Sequence, residues 1–540
     1  MGGRVRTFRG TGLGPKALLA VISALLPVMV PAAPARAHQI QLVLRLKARV
    51  SMEKLAANVT DPRSSRYGRY YSPLEIRELA APADADYSAL LSRLAVKGFK
   101  IAGESKSHLF VTVVGESSLV ESTFATRLLE TSGRHRPLRR AEIPQDLALI
   151  RSVIGLDTTR SSRSHLEIAR VAPLDGTIPG LPPDYIKSAY GFTGIYQAGY
   201  TGKGQHIAIA TYDGYYPGDI TSYFALEGIS PGPSIDQIQF NGQTTLNDGS
   251  AMETQVDSEF SGMIAPGAQI HVFASAHNDD PGEVQLFTAI LDDNRARVVN
   301  YSWGDCEANV SAQHFQDMNA VFARAVAQGV NIMVASGDWG AAGCPVITAP
   351  GAQPGPHKDG PGGNTSLSAD WPAANPYVVA VGGTTVTGGD NGNVQETGWE
   401  QAGGGVSSIF PQPSWQSDFQ APFVRRAFPD IAFNADPNSG EPCLAHSGGS
   451  AQWIQIGGTS IAAPQWSGFM ALVGEARSAQ GALGFLNPHI YRLSQETYAG
   501  AFHDVLQGSN GGYTAAPGWD AVTGWGSPRA SALLNYLRQQ

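Results

Sequence analysis

Apolar and polar positions alternate in two different ways along this chain. Residues 38 to about 130 mix strand-like runs, such as IQLVLRLKARV and HLFVTVVG, with helical patterns such as YSALLSRLAVKGF. Beyond about residue 175, short apolar runs alternate with helical segments; the runs are QHIAIATY, AQIHVFA, VVNYSW, VNIMVAS and YVVAVGG. Short buried strands that alternate with helices predict a parallel sheet with helices on both faces. We therefore predict an α/β chain in which a smaller α/β unit precedes a larger domain.

Three segments follow from these patterns, with boundaries at 1–37, 38–170 and 171–540. The first carries basic residues, then ALLAVISALLPVMV, then a small-residue site ending at Ala37, which is typical of a secretory signal peptide cleaved before His38. No later segment reaches about 18 uninterrupted apolar residues. We expect an exported protein, extracellular or periplasmic, that is monomeric and has no membrane segment after signal removal. The second segment ends in TTRSSRSHLEIARVAPLDGTIPGLPP, whose composition predicts an exposed linker open to proteolysis.

The net charge differs sharply between the last two segments. Residues 38–170 carry 21 Lys and Arg against 14 Asp and Glu, whereas residues 171–540 carry 12 against 32. The resulting charges, +7 and −20, should attract each other at neutral pH. With so few bases, the larger domain gains little repulsive charge when its carboxylates are protonated, which suits an acidic environment. We predict no nucleic-acid partner, because the acidic domain has no basic patch and the basic segment is explained by its acidic neighbour.

A glycine-rich segment, GGTSIAAP, places Ser460 at the start of an apolar helical run. It resembles the nucleophile segment of subtilisin-fold serine peptidases, although a helix-capping serine would have the same pattern. A serine hydroxyl is a weak nucleophile until a base takes its proton. None of the twelve histidines lies in the Gly-Thr-His context that subtilisins use. His206, His271 and His503 are interpreted as structural or exposed, and Asp213 lacks the histidine that a subtilisin aspartate needs.

Carboxylates offer a substitute for the missing histidine. The helical segment AMETQVDSEF places Glu253 and Asp257 four residues apart, on one face. Spacing alone favours an ordinary acidic surface helix over a catalytic pair. Asp338, in SGDWG, fits a turn aspartate after a strand. Ser302, Trp303 and Gly304 fit a strand end with a core tryptophan.

The ordered set of motifs is more specific than any one of them. It comprises EtqvD with IAPGAQI, VNYSWG, ASGDWG, WPAANPYVVAVGGTT, GGTSIAAP, DV and GWDAVTGWGSP. This set resembles the sedolisin family of serine-carboxyl peptidases, which have a subtilisin-like fold. The N-terminal SSRYGRYYSPLEI resembles that family's activation prodomain. The resemblance implies that Ser460 is the nucleophile, Glu253 the general base, Asp257 the residue that orients Glu253, and Asp338 the donor to the oxyanion. It also implies that Ser302, Trp303 and Gly304 line the substrate cleft.

These roles imply an acidic working pH. A glutamate base with a reference pKa of about 4.3 is useful near that pH. An aspartic acid that donates a hydrogen bond to an oxyanion must keep its proton. Both demands are met together only in acid.

A calcium site is implied near the C-terminus. By resemblance to the family, one Ca²⁺ is bound by the side chains of Asp504 and Asp520 and the carbonyls of Val505, Ala516 and Gly518. Calcium takes six or more oxygen ligands, which such a loop can supply. A glycine-rich surface turn is the alternative.

Export places the three cysteines where a disulfide can persist. Cys306 and Cys344 each follow a strand-like run by a few residues. If these strands are neighbours in a parallel sheet, the loops after them lie side by side. We predict that Cys306 pairs with Cys344 and that Cys443 is free.

Together these features predict a secreted, acid-acting endopeptidase made as a zymogen. Its partners would be protein or peptide substrates and its own prodomain, acting as an intramolecular inhibitor or chaperone. The alternatives are a tripeptidyl-peptidase of the same family, a subtilisin-like peptidase active near neutrality and a non-catalytic peptide-binding relative. Acidification should weaken docking of the basic segment and expose the linker to cleavage.

Overall fold

The structure is a computed structural model that describes residues 38–174, 176–244, 246, 251–344, 366–417 and 423–540. The predicted signal peptide, residues 1–37, lies outside the described residues. Among the helices in the described ranges, none is both long enough and apolar enough to span a bilayer.

A four-stranded antiparallel sheet forms the centre of the N-terminal unit. Its strand order is β2-β3-β1-β6. Leu42 and Leu44 on β1 are fully buried, as the apolar run predicts. In chain order the elements are β1 (Gln39–Leu46), α1 (Met52–Thr60), α2 (Pro73–Ala80), α3 (Asp84–Lys97), β2 (Lys100–Glu104), β3 (Phe110–Glu116), α4 (Ser117–Thr123), β4 (Leu128–Thr131), β5 (Arg134–Pro137) and β6 (Ile150–Ile154).

The remaining elements belong to the linker and the larger domain. They are β7 (Arg163–Ser164), β8 (Glu167–Ala172), α5 (Pro183–Ala189), α6 (Thr193–Gln197), β9 (His206–Thr211), α7 (Pro217–Leu226), β10 (Ser234–Phe240), α8 (Ala251–Ile264), β11 (Gln269–Ser275), α9 (Asp280–Asp293), β12 (Val298–Tyr301), β13 (Trp303–Cys306), α10 (Ala312–Ala327), β14 (Asn331–Ala335), β15 (Asp370–Trp371), β16 (Val379–Asp390), β17 (Asn393–Gly398), β18 (Gly405–Pro411), α11 (Ser414–Ser417), β19 (Arg425–Phe428), β20 (Ile431–Asn434), β21 (Glu441–Ser447), β22 (Ser450–Gly457), α12 (Thr459–Ala476), α13 (Asn487–Ile490), α14 (Gln495–Ala501), β23 (Phe502–His503), β24 (Ser527–Pro528) and α15 (Ala530–Leu537). Short 3₁₀ helices cover Gln145–Leu147, Glu307–Asn309 and Pro437–Ser439.

The larger domain is built on an eight-stranded sheet of order β10-β11-β9-β12-β14-β16-β17, with β20 also pairing with β16. The five apolar runs singled out in the sequence form β11, β9, β12, β14 and β16, which are adjacent and parallel. Only the β16–β17 pair of the strands described in this sheet is antiparallel. The predicted parallel sheet with flanking helices is therefore confirmed.

Two helices of this domain cross closely enough to exclude side chains. A Cβ added to Gly468 on α12 would lie 2.7 Å from the Ser261 carbonyl oxygen and 2.7 Å from Ile264 Cβ, both on α8. The glycine therefore lets the two backbones approach closely. This crossing fixes how α8, which carries Glu253 and Asp257, lies against α12, which carries Ser460.

The two cysteines that form a disulfide follow neighbouring strands of this sheet. β12 and β14 are parallel neighbours, and a disulfide joins Cys306 to Cys344 in the segments beyond them. Cys443 is free and buried.

The linker differs from its predicted exposure. Ser162 and His165 are buried, at 5% and 2% exposure, because β7 pairs antiparallel with β13 of the larger domain. The next strand, β8, pairs with β22 but leaves Ile168 and Val171 exposed. The expectation of an exposed linker is thus wrong for its first part. Composition could not show this, because the burial arises from pairing with a strand about 140 residues away.

Candidate active site

The serine predicted as nucleophile is the second residue of α12. The residue before the helix, Gly458, has φ +98°, and a Cβ there would lie 2.1 Å from the His165 carbonyl oxygen and 2.5 Å from Asp338 Oδ2. Only glycine meets both requirements, which explains the double glycine in the motif. Ser460 is fully buried at the positive end of an 18-residue helix.

A carboxylate occupies the position of a general base. Ser460 Oγ donates a hydrogen bond to Glu253 Oε2 over 3.1 Å. Glu253 lies in the first turn of α8, and Asp257 lies one turn further along. Ser302 Oγ donates to Asp257 Oδ1 over 2.7 Å. The structure thus brings together a hydroxyl, a base and a fixed second carboxyl, the arrangement that activates a nucleophile.

Both carboxyls hold their protons more tightly than they would in water. Burial, and then the charge of Asp257, raise the pKa of Glu253 well above its usual value. Burial raises the pKa of Asp257 in turn. No ion pair to either group occurs among the residues that the structure describes. Two carboxyls this close titrate as a pair, and the pair carries fewer than two negative charges in acid.

Asp338 lies in the segment after β14 and faces the start of α12. Its Oδ1 accepts hydrogen bonds from the backbone N–H and the hydroxyl of Thr459, both over 2.8 Å. Its Oδ2 is buried and has no hydrogen-bond partner among the described residues. Burial, and then the charge of Glu167, raise its pKa well above the usual range. A proton on Oδ2 would therefore be free to donate towards the space above Gly458.

The linker runs through this site as an extended strand. Trp303 pairs with Ser164, and Gly304 pairs with Arg163. The backbone N–H of His165 donates to the Ser302 carbonyl over 3.2 Å. The backbone N–H of Ser460 donates to the His165 carbonyl over 3.0 Å. The His165 carbonyl therefore lies between the nucleophile's own N–H and Asp338, where a substrate carbonyl would need two donors.

Side chains of the linker also fill the site. Ser164 Oγ donates to Glu253 Oε2, the same oxygen that accepts from Ser460. The His165 ring lies against Gly304, where a Cβ would be 2.2 Å from His165 Nε2. Burial, and then the charge of Arg163, lower the pKa of His165 to about 3, so the ring is neutral. The predicted cleft residues Ser302, Trp303 and Gly304 thus contact the linker mainly through their backbone.

Comparison with known proteins gives two family matches on this chain. Residues 29–159 match the activation domain of pro-kumamolisin, and residues 241–526, more than half of the chain, match the subtilase family. Kumamolisin from Bacillus sp. (strain MN-32) is 34% identical over 428 residues, covering 73% of this chain and 72% of kumamolisin. Sedolisin from Pseudomonas sp. (strain 101) is 30% identical over 545 residues, covering 95% and 89%.

This chain belongs to the sedolisin family of serine-carboxyl peptidases. It is a serine-type peptidase with an activation prodomain, and hence a zymogen. Tripeptidyl-peptidase 1 of Rattus norvegicus is 29% identical over 537 residues, covering 90% of this chain and 89% of that protein. The solved structure of Pseudomonas sedolisin, complexed with two molecules of pseudo-iodotyrostatin, has 31% identity and a TM-score of 0.58 and covers 68% of this chain and 100% of that one. The resemblance and the subtilisin-like fold predicted from the motifs are therefore confirmed.

The histidines of this sedolisin-family chain do not replace the carboxyl base. His206 and His271 hydrogen-bond to each other over 2.8 Å, near the starts of β9 and β11. The opposite end of β9 is the one near the site, because the hydroxyl of Thr211 lies 2.9 Å from that of Thr254, next to Glu253. His503 is buried, and burial followed by Arg529 lowers its pKa to about 4. His165 enters the site, but its ring nitrogens make no hydrogen bond among the described residues. The sequence search missed His165 because it belongs to the linker.

Asp213 lies closer to Glu253 and Asp257 than the sequence suggested. Its carbonyl accepts a hydrogen bond from Thr254 Oγ1 over 3.2 Å, and its charge contributes to the raised pKa of Glu253. Burial raises the pKa of Asp213 itself to about 7. It therefore adds a further acidic group to the surroundings of Glu253 without contacting Ser460.

The predicted calcium ligands converge on one loop. Both oxygens of Asp504 accept from the Gly518 N–H, over 3.2 and 3.0 Å. Asp520 Oδ2 accepts from the Ala516 N–H over 3.0 Å, and burial raises the pKa of Asp520 to about 6. Val505 is buried directly after Asp504. Two carboxylates without an ion pair in the described part of the chain, beside a carbonyl-rich loop, fit a hard cation.

A second group of side chains has the spacing of a metal site. One ligand atom each from Asp280, Glu283 and His314 lies within 4.8 Å of the others. This group was not predicted. In the structure the guanidinium of Arg160, from the linker, lies in it.

Proposed function

We propose that this protein is an acid-acting serine-carboxyl endopeptidase whose nucleophile is Ser460. The observation that supports this most directly is the 3.1 Å hydrogen bond from Ser460 Oγ to Glu253, in a buried site without a histidine base. Glu253 serves as the general base and Asp257 orients it. Asp338 donates to the oxyanion.

The reaction would proceed in two steps. Ser460 Oγ attacks the carbonyl carbon of the substrate while Glu253 accepts the hydroxyl proton. The developing oxyanion accepts from the Ser460 N–H and from the protonated carboxyl of Asp338. Glu253 then gives its proton to the leaving amine, which forms an acyl-enzyme on Ser460. Water, deprotonated by Glu253, hydrolyses the acyl-enzyme.

The pKa directions set a lower and an upper limit to the working pH. Asp338 must be protonated to donate, and its raised pKa keeps it protonated well above its ordinary range. The Glu253–Asp257 pair must lose one proton to supply a base. Because the pKa values of both carboxyls are raised, this ionisation occurs at higher pH than it would in water. Activity therefore requires a pH between the first ionisation of the pair and the ionisation of Asp338.

The position of the linker in the cleft supports the proposal that the zymogen is inhibited by its own chain. It occupies the cleft in the direction and register of a substrate strand, and the His165 carbonyl lies at the nucleophile. The bond from His165 to Leu166 is therefore the one we expect to be cut first on maturation. Until then, the linker excludes other peptides from Ser460.

The prodomain reinforces this placement through contacts on the larger domain. Arg45 forms an ion pair with buried Asp317 over 3.0 Å, and Ser152 Oγ donates to the same carboxylate over 2.7 Å. Tyr70 donates to the Leu483 carbonyl over 2.6 Å. These contacts support a role of the prodomain as an intramolecular inhibitor.

Processing measured at pH 7 and pH 4, in low and high salt, tests whether charge controls release of the prodomain. Release that depends on neither pH nor salt would contradict control by charge.

The path of the linker favours an endopeptidase over tripeptidyl release. The chain continues in contact with the larger domain beyond the third residue before the expected cleavage bond, as far back as Arg160. A peptide can thus extend well past three residues on this side. The tripeptidyl-peptidase alternative is supported by the similarity to tripeptidyl-peptidase 1.

Two further features complete the proposal. We expect one Ca²⁺ to be held by Asp504, Asp520 and the carbonyls of Val505, Ala516 and Gly518, where it would join the loop to the domain. The apolar segment before Ala37 supports export, so protein or peptide substrates would be met outside the cytoplasm.

The catalytic assignment is tested by peptide cleavage across pH 3 to 8. Ser460→Ala and Glu253→Gln should each lower kcat/KM by a factor of about 10³ or more. Ser467→Ala, in the same helix, and Glu259→Gln, a buried carboxyl on α8, are matched controls. Activity that survives both catalytic substitutions would contradict the assignment, and a purely binding relative would show no cleavage by any variant.

A further inference from the structure

The side chain of Arg160 enters a polar site beside the cleft. Its Nε donates to Asp280 Oδ1 over 2.6 Å, and its Nη2 donates to Glu283 Oε2. The same nitrogen lies 3.1 Å from His314 Nε2. Only 8% of the Arg160 side chain is exposed. A linker residue is thus bound by charged groups of the larger domain.

The receiving groups are held in place by the larger domain itself. Glu283 Oε2 accepts from His314 Nε2 over 2.8 Å, and Glu283 Oε1 accepts from Trp371 Nε1 over 3.3 Å. Asp280 and Glu283 share the first turn of α9, while His314 is in the first turn of α10. The site therefore does not depend on the linker for its geometry.

This site has a strong requirement for positive charge. Glu283 and the His314 side chain are buried, at 0% and 1% exposure, and Arg160 is the arginine paired with them in the described part of the chain. A buried carboxylate that loses its cation is costly, because nothing replaces the lost hydration. When the linker leaves the cleft, Glu283 loses its arginine partner and keeps the hydrogen bond from His314. His314 Nδ1 makes no hydrogen bond among the described residues, but it lies 3.5 Å from Asp280 Oδ2.

The register of the linker relates this site to the reaction. Arg160 lies five residues before His165, whose carbonyl accepts from the Ser460 N–H. A substrate peptide that follows the same antiparallel path along β13 would bring its sixth residue before the cleaved bond to Asp280 and Glu283. The two carboxylates accept from different nitrogens of one guanidinium, a geometry that suits arginine better than lysine.

We propose that Asp280, Glu283 and His314 form a subsite of the processed enzyme that binds an arginine side chain six residues before the cleaved bond. Arg160 is the internal occupant of this subsite in the zymogen. The inference rests on the proposed function, since it requires that the linker leaves the cleft after processing. It adds a preference for basic substrates that the catalytic residues do not determine.

The test uses the processed enzyme and two peptides that differ only at the sixth residue before the cleaved bond. One carries arginine and the other citrulline, which has nearly the same shape without the charge. We expect kcat/KM to be roughly 10- to 100-fold higher for the arginine peptide, the range of charge-assisted hydrogen bonds. Glu283→Gln and Asp280→Asn should bring the ratio close to one. Asp293→Asn, at the other end of α9, is the control and should keep the ratio.

The possible outcomes separate the two proposals. Equal rates for the two peptides in the unchanged enzyme would overturn the subsite, while cleavage of neither peptide would contradict the proposed function instead. A peptide with arginine moved to the fourth position should lose the advantage; if it does not, the preference is a general charge effect and the subsite is overturned. If Glu283→Gln fails to fold, Asp280→Asn carries the test, since Asp280 is 13% exposed.

Discussion

The pKa values of two buried glutamates of the larger domain, Glu253 and Glu283, are shifted in opposite directions. Around Glu253 the neighbours are Asp257, Ser460 and the linker hydroxyl of Ser164, and burial followed by the charge of Asp257 raises its pKa. For Glu283, burial acts in the same direction, but Arg160 and His314 outweigh it and bring the pKa down to about 2. Burial alone therefore does not decide the charge of a carboxyl. A neighbouring cation decides it.

The difference has a functional consequence, because the two sites need opposite states. A general base and an oxyanion donor in acid need carboxyls that keep or exchange protons near the working pH. A site that holds an arginine needs a carboxylate that stays ionised in acid. The chain meets both needs with the same residue types, by placing a cation beside one glutamate and a second carboxyl beside the other.

The largest expected effect comes from removing the cation beside Glu283. In full-length protein carrying Ser460→Ala to prevent self-cleavage, Arg160→Met should lower the free energy of unfolding by about 3–5 kcal/mol at pH 7. The deficit should shrink as pH falls below about 4.5 towards 2, because the low folded-state pKa of Glu283 makes its ion pair stabilising only while Glu283 is ionised. Denaturant unfolding at several pH values measures this, with Arg163→Met as control. A deficit that is the same at every pH would mean that Arg160 acts through packing alone.

The second test concerns the oxyanion donor. Asp338→Ala should lower kcat about 10²- to 10³-fold, the usual loss for one oxyanion-site donor. Asp338→Asn keeps a donor whose proton does not titrate, so it should retain more activity and lose less of it as pH rises. Steady-state kinetics from pH 3 to 8 compares the two variants. An Asn variant as inactive as the Ala variant, with an unchanged pH profile, would argue that Asp338 does not donate.

A third test measures the effect of a buried carboxyl with a raised pKa, that of Asp257, on the stability of the protein. The folded-state pKa of Asp257 is raised, so the folded protein binds the extra proton and its stability falls as pH rises above about 4. The slope is about 1.4 kcal/mol per pH unit for each such group. In the Ser460→Ala background, Asp257→Asn avoids this cost, so its stability relative to the parent should increase by about 3 kcal/mol between pH 5 and 7. Asp86→Asn, on the surface of α3, should show no such trend.

The smallest expected effect concerns the loop proposed to bind calcium. There the carboxylates would acquire their cation from solution. Asp504→Asn should remove most of a calcium-dependent rise in Tm, worth about 1–2 kcal/mol at saturating ion for a site of moderate affinity. Thermal unfolding with added Ca²⁺ or chelator measures it, and Asp390→Asn serves as a surface control. A parent protein whose Tm ignores calcium would contradict the site.

Much of the fold could be predicted because its signals are local. The strands β9, β11, β12, β14 and β16 are short apolar runs between helical patterns, and runs of that kind have few alternatives to a buried parallel sheet. Helical spacing predicted that Glu253 and Asp257 share one face of a helix, and the ordered set of motifs then suggested their roles. The disulfide partners could be proposed from the adjacency of two strands, and a disulfide joins them in the structure.

The linker could not be predicted in the same way. Its Arg, Ser, Gly and Pro content is typical of exposed segments, yet Ser162 and His165 are buried and Arg160 is bound. The contacts that bury them are made by Asn278, β13, α9 and α10, which lie between 116 and 154 residues away along the chain. No periodicity within the linker carries that information.

The sequence by itself determined the residue types, the helix and strand periods and the order of the motifs, and with them the fold and the identity of the candidate catalytic groups. These depend on interactions between residues close in sequence, or on patterns that tolerate few folds. Only the tertiary structure decided which carboxyl has a cation as its neighbour. A pKa depends on charges within a few ångströms in space, and those charges come from distant parts of the chain. For that reason the same chain has one glutamate suited to proton transfer and another suited to holding arginine.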